Sequence, residues 1–352
     1  VLAPFLFALS LALLALSPAL LVVAFLIDLA VARGRLPTVR LVSFGVVYLV
    51  YEVVGLAVMV VFWMAAAFGT RLSSPRMQQV HYGFMRWWLK GIYTAAVACF
   101  RLKIYIEDRP TPRPGPILVF SRHAGPGNSL MLVGTLMIAY RRRPRVVMLA
   151  KLQWEPLFDV MGNRLPNRFI QHDPARRDYF VRAIADLATG LGDQDAYILF
   201  PEGHDFTPRH RIRAIAHLLK RGHEEHARRA AAMQHMLPPK SGGVTAAITA
   251  APKADVVFVA HTVLEDVGSF KHLWSRIPLD GPIFSRYWRI PAAEVPRDQG
   301  QLTDWLYGWW GQIDQWVRSR REIVEAPAAV PEGLPTPVEK PSSAGEDRTV
   351  PV

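Results

Sequence analysis

The sequence predicts an α/β layer architecture preceded by a hairpin of two apolar helices. Three observations predict it. Two long apolar runs open the chain, short apolar runs then alternate with longer helical patterns, and turn-forming residues close the short runs. On this reading the chain divides into a two-helix membrane hairpin over 1–70, an interfacial helix or linker over 71–100, an α/β unit with a C-terminal amphipathic helix over 101–325, and a disordered tail over 326–352.

The first run, Leu2 to Leu29, has no charge before Asp28 and exceeds the roughly 20 residues that cross a bilayer. It is a transmembrane candidate, bent at Pro18. A cleaved signal peptide is the competing reading, but the run is too long for one, lacks a basic leader and shows no clear small-residue cleavage site. The second run, Leu41 to Phe68, carries Glu52 near its middle, where an unpaired charge is expensive. Glu52 is therefore expected to be buried against the first helix, to be protonated, or to mark a hairpin that only dips into one leaflet, with a structural partner favoured over a catalytic role. Basic residues leave the orientation open, since Arg33, Arg35 and Arg40 are matched by Arg71, Arg76 and Arg86. Residues 80–100, with Trp87, Trp88 and Tyr93 beside Arg86 and Lys90, read as an interfacial helix.

In the globular part the expected strands are Leu102 to Ile106, Ile117 to Phe120, Val146 to Ala150, Arg168 to Ile170, Ala196 to Phe200 and Val256 to Ala260. The expected helices are Ser129 to Tyr140, Arg176 to Thr189, Ile212 to His235 and Val244 to Ala250. Near the end, Leu302, Trp305, Leu306, Trp309, Ile313, Trp316 and Val317 share one helical face, a pattern of core packing. From Ala326 the chain is rich in proline and poor in apolar residues, which reads as a disordered tail.

Composition narrows the function. Hydrophobic residues make up 51%, high for a wholly soluble enzyme, so part of the apolar content needs a membrane. Lys+Arg 41 against Asp+Glu 29 gives a net charge of +12, which suits an anionic partner: lipid headgroups, a phosphorylated cofactor or nucleic acid. The single Cys99 excludes both an intramolecular disulfide and thiolate metal clusters.

Four polar clusters follow or precede the apolar runs. Ser121-Arg122-His123-Ala124-Gly125-Pro126-Gly127-Asn128-Ser129 sets a histidine in a tight strand-to-helix turn. Gly162-Asn163-Arg164-Leu165-Pro166-Asn167-Arg168-Phe169-Ile170 is basic and loop-like. Phe200-Pro201-Glu202-Gly203-His204 closes another strand, and Leu237-Pro238-Pro239-Lys240-Ser241-Gly242-Gly243 opens a helix where backbone N–H groups and a lysine would meet a phosphate. In one α/β unit such clusters gather along one edge of the sheet.

Two other motifs do not carry chemistry. His223-Glu224-Glu225-His226 spaces its histidines three apart rather than the four that one helix face requires for a metal, so no metal is expected. The basic stretch Arg209 to Arg229 lacks interleaved aromatics and suits anionic lipid, so no nucleic acid is expected. No G-x-S-x-G is present, which weighs against a serine lipase of the α/β-hydrolase kind.

The order of the four clusters resembles the glycerolipid acyltransferases of the lysophosphatidate acyltransferase type, over about residues 100–265. That family shows HxxxxD, a basic G-x-x-F-I-x-R block, F-P-E-G-T, and a proline- and lysine- or arginine-containing block before a small-residue helix. Three positions depart from it: Asn128 for the aspartate, His172 for the second block's arginine and His204 for the threonine. The resemblance implies a mixed sheet flanked by helices. It also implies an O-acyltransferase that moves a fatty acyl group from acyl-CoA or acyl carrier protein to a lysophospholipid, with 1-acyl-glycerol-3-phosphate as favoured acceptor and phosphatidic acid as product. No bound cofactor or metal is implied.

In those terms His123 is the general base and Asn128 its weakened orienting partner, able to fix a tautomer but not to stabilise the imidazolium by charge. Glu202 or Asp205 would be a helper carboxylate. Glu202 and Gly203 belong to the acceptor site, with Arg164, Arg176 and Lys240 as phosphate contacts. The thioester donor places the catalytic part on the cytoplasmic side of the cell membrane. Two plainer readings stand beside these: Asn128 as a helix N-cap, and a catalytically weak or silent membrane protein that keeps the fold for lipid binding or scaffolding.

Overall fold

The computed structural model describes residues 2–31, 34–108, 113–123, 125–171, 176–262 and 270–325. His172 and the tail over 326–352 lie outside the described residues. The first two helices, α1 (Leu2–Val31) and α2 (Pro37–Ala65), pack against each other. Both are long and apolar enough to cross a membrane by length and composition, and both leave large apolar side chains exposed, among them Phe25, Leu29, Val60 and Val61. Their turn is closed by Asp28, whose two carboxylate oxygens accept the N–H groups of Thr38 (3.0 Å) and Val39 (2.8 Å). These are first-turn amides of α2 that have no partner within their own helix.

Helix α3 (Pro75–Phe100) packs on α2 and divides its tryptophans. Trp88 is fully buried, whereas Trp87 is exposed. The α/β unit follows: β1 (Lys103–Glu107), β2 (Ile117–Ser121), α4 (Pro126–Ile138), β3 (Arg143–Leu149), α5 (Pro156–Arg164), β4 (Arg168–Ile170), α6 (Arg177–Ala188), β5 (Asp195–Leu199), α7 (Pro208–Lys220), α8 (Glu224–Ala232), α9 (Ser241–Ala250), β6 (Asp255–His261), α10 (Phe270–Arg276), β7 (Pro282–Ile290) and α11 (Gln299–Glu325).

The seven strands form one mixed sheet in the order β1-β7-β6-β2-β5-β3-β4. Strands β2 to β6 run parallel, and β7 lies antiparallel to β6 with β1 parallel to β7. Alternate side chains of β2 serve opposite faces. Leu118 and Phe120 join the core under α6, α9 and α11, while Ile117 and Val119 join the core under α3, α4 and α5. The strand is buried on both faces, as a central parallel strand should be.

The structure corrects two expectations, adds a strand and gives Glu52 its partner. The helix expected over Ile212 to His235 is two helices, α7 and α8, because Gly222 takes a left-handed conformation (φ +75°) and turns the chain. The start of the basic, loop-like stretch, Gly162 to Arg164, is the last turn of α5, whose own start is capped by Glu155 accepting the Phe158 N–H (2.5 Å); the loop is only Leu165 to Asn167 before β4. Strand β7 interrupts its apolar residues with Arg286 and Arg289, whose charges are met by Asp108 (2.6 Å) and Asp255 (2.8 Å). Glu52 is buried and has a structural partner, as favoured: it accepts the Leu157 N–H of α5 (3.1 Å). The middle of α2 therefore packs on the α/β unit.

Candidate functional site

Because β2, β3, β4, β5 and β6 are parallel, the residues after their carboxyl ends gather along one edge of the sheet. His123 follows β2, Lys151 follows β3, Gln171 follows β4 and Glu202 follows β5. Glu202 is buried and bridges two loops. Its Oε1 accepts the His123 N–H (3.1 Å) and its Oε2 accepts the Leu237 N–H (3.0 Å). The carbonyl of Pro201 in turn accepts the Lys240 N–H (2.9 Å). The first, third and fourth polar clusters are thus joined, through the Glu202 carboxylate and one backbone hydrogen bond.

His123 is held from three further directions. Its carbonyl accepts the Phe206 N–H (3.1 Å), its ring lies on Phe200 with centroids 4.7 Å apart, and Nδ1 lies 3.0 Å from Asp205 Oδ1. That last contact is close but not aligned as a hydrogen bond. The imidazole is 17% exposed and the Asp205 side chain 44%. Burial lowers the pKa of His123, opposed by the charge of Asp205 and reinforced by that of Lys151. Burial thus favours the uncharged, basic form of the ring.

Asn128 is the third residue of α4, not its N-cap, since the helix starts at Pro126. Its side chain is fully buried, and neither Oδ1 nor Nδ2 has a hydrogen-bond partner among the described residues. It makes no bond to His123. Gly203 has φ +71°, and a side chain there would meet Lys240 Nζ at 2.6 Å. Lys240 is exposed along part of its length, but its surroundings are tight enough that desolvation lowers its pKa.

The two arginines expected at a phosphate have these contacts in the structure. Arg164 donates to the Met59 carbonyl of α2 (2.7 Å), and Arg176 stacks over Tyr179 (4.8 Å) and Phe180 (5.5 Å). A cleft of about 770 Å³ opens past the carboxyl ends of β3 and β4, lined by Lys151, Gln153, Trp154, Asp159, Gln171 and His204 among others; His123 is not in its lining, and Lys151, whose charge acts on the ring, is.

Two supporting residues carry no motif signal. Arg122 is fully buried and donates to the carbonyls of His235 (Nη2, 2.6 Å) and His261 (Nη1, 2.8 Å), which pins the floor of the site. Asp314 of α11 accepts the N–H groups of Gln234 (3.1 Å) and His235 (2.7 Å) from the far side of the same loop.

Fold and site define a mixed α/β protein with two apolar N-terminal helices and a histidine–carboxylate contact at the carboxyl edge of its sheet. No protein-family model and no curated protein matches the chain. Among solved structures it is similar to the 1-acyl-sn-glycerophosphate (LPA) acyltransferase PlsC from Thermotoga maritima, with a TM-score of 0.44 and 12% identity. That match covers 77% of this chain and 98% of the other.

Proposed function

We propose that this chain is a membrane-associated O-acyltransferase that transfers a fatty acyl group from acyl-CoA or acyl carrier protein to a lysophospholipid. The favoured acceptor is 1-acyl-glycerol-3-phosphate, which gives phosphatidic acid. One observation carries the reading: Glu202 of the Phe200-Pro201-Glu202-Gly203 block binds the His123 backbone, so two motif blocks 79 residues apart form one site. Glu202 has both oxygens on backbone N–H groups, so within the acceptor site it acts by positioning.

The chemistry follows from an uncharged imidazole. His123 removes the proton of the acceptor hydroxyl as its oxygen attacks the thioester carbonyl carbon. The tetrahedral intermediate collapses with cleavage of the C–S bond, and the thiolate takes the proton back from the imidazolium. An ester and a free thiol result, with no net proton change and no metal required. Lys240, with the N-terminus of α9 that it precedes, is the phosphate contact, since Arg164 and Arg176 have other partners. The exposed apolar faces of α1 and α2 keep the site beside the lipid that supplies its acceptor and receives its product.

The test gives membranes carrying the protein labelled thioester donor and lysophosphatidate. Label is expected in phosphatidic acid for the wild type and none for His123→Ala. Absence of turnover with either acyl-CoA or acyl carrier protein, across lysophospholipid headgroups, would reject the enzyme and favour the catalytically silent lipid-binding role.

A further inference from the structure

We propose that Asp205 is the carboxylate that positions His123, and that Asn128 has no part in orienting the ring. The kinetic consequence rests on the acyltransferase reading; the pairing itself does not. Asp205 Oδ1 is 3.0 Å from Nδ1, whereas the amide of Asn128 bonds to nothing among the described residues. A carboxylate on that α4 position would be sealed from water without a partner, a costly arrangement. The 202–206 loop, by contrast, is built around the histidine. Glu202 takes its N–H, Phe206 binds its carbonyl, Phe200 supports its ring, and Asp205 meets its Nδ1.

Asp205 is itself fixed. Its carbonyl lies 3.0 Å from His210 Nδ1, and the next turn is capped by Thr207 Oγ1 accepting the His210 N–H (3.0 Å). The carboxylate that faces the ring thus stands on the loop after β5, not on the helix after β2. This leaves Nε2 to meet the acceptor hydroxyl. The charged groups acting on the ring are Asp205, which favours the imidazolium, and Lys151, which opposes it, while the buried Glu202 carboxylate sits at the histidine's backbone.

Histidine NMR on the full chain in nanodiscs tests the pair without relying on turnover. Asp205→Asn should lower the His123 pKa and Asp205→Glu should restore it in part, while Asn128→Ser should leave it in place. In membranes that acylate lysophosphatidate, Asp205→Asn should reduce kcat by on the order of 10²- to 10⁴-fold at little change in KM, with the acid limb of the pH–rate profile moved to lower pH. A pKa that falls in Asp205→Asn in protein without turnover upholds the pair and rejects the acyltransferase. A pKa unmoved by Asp205→Asn, or turnover raised by Asn128→Asp, overturns the proposal.

Discussion

One carboxylate oxygen of Glu202 accepts the His123 backbone N–H at 3.1 Å while the other accepts the Leu237 N–H at 3.0 Å. A glutamine has the same shape but only one acceptor oxygen. Glu202→Gln would turn an NH₂ toward one of two buried N–H donors. An unsatisfied buried donor costs about 1–3 kcal/mol, so thermal stability should fall by that order and turnover with it. A variant as stable and as active as the wild type would show that the bridge is dispensable.

Arg122 offers a sharper contrast between two cations. Its guanidinium reaches the His235 and His261 carbonyls at once, from full burial. Lysine keeps the charge but loses the planar fork. Arg122→Lys should therefore cost roughly 2–4 kcal/mol, since hydrogen bonds to charged groups are worth about 1.5–3 kcal/mol each. Chemical denaturation followed by tryptophan fluorescence measures this, and an unchanged midpoint would count against it.

His261 sets an acid limit on the fold. It is buried beside Arg122, and burial with that neighbouring charge lowers its pKa to about 3. The folded form therefore holds it neutral where the unfolded chain, with an ordinary value of about 6.5, takes up a proton. Its contribution is fully present above pH 6.5 or so and is lost progressively as pH falls toward about 3. Between pH 7 and about 4.5 the loss is of the order of 2–3 kcal/mol from this group. His261→Phe should narrow the stability difference between those two pH values by about that amount.

Gly203 tests the space under the lysine. With φ +71° and Lys240 Nζ only 2.6 Å from where a β-carbon would sit, Gly203→Ala should cost about 1–2 kcal/mol in backbone strain and displace the ammonium. The expected kinetic result is a raised KM for a phosphate-bearing acceptor. A KM unaltered against an acceptor with phosphate would remove Lys240 from that role.

Much of the fold was legible because its strands are apolar runs buried on both faces, as in Ile117 to Phe120, and such runs stand out against any helical period. Strand β7 was not, because its arginines are neutralised by Asp108 and Asp255, partners distant in sequence that no local pattern announces. The same distinction separates the site residues. His123 and Glu202 belong to motifs whose spacing is visible in the chain. The nearness of Asp205 to His123 depends on β2 and β5 being neighbours in the sheet, a tertiary fact. Arg122 and Asp314 are silent for that reason too: each works on backbone groups more than 70 residues away.

Arg164 is expected from sequence at a phosphate and donates in the structure to a backbone carbonyl, and its substitution separates the two readings. As a phosphate contact, its loss would raise KM for the acceptor and leave the protein as stable as before. In the structure it donates to the Met59 carbonyl, while Glu52 accepts the Leu157 N–H at the other end of α5. Helix α5 is thus fastened to α2 at both ends, and Asp159 between them lines the cleft. Arg164→Ala should weaken this seating by about 1.5–3 kcal/mol, the worth of a hydrogen bond from a charged donor. The expected signature is faster amide exchange and proteolysis around Pro156–Arg164, with kcat falling more than KM rises as the cleft loosens. A raised KM with unchanged protection of α5 would return Arg164 to the phosphate.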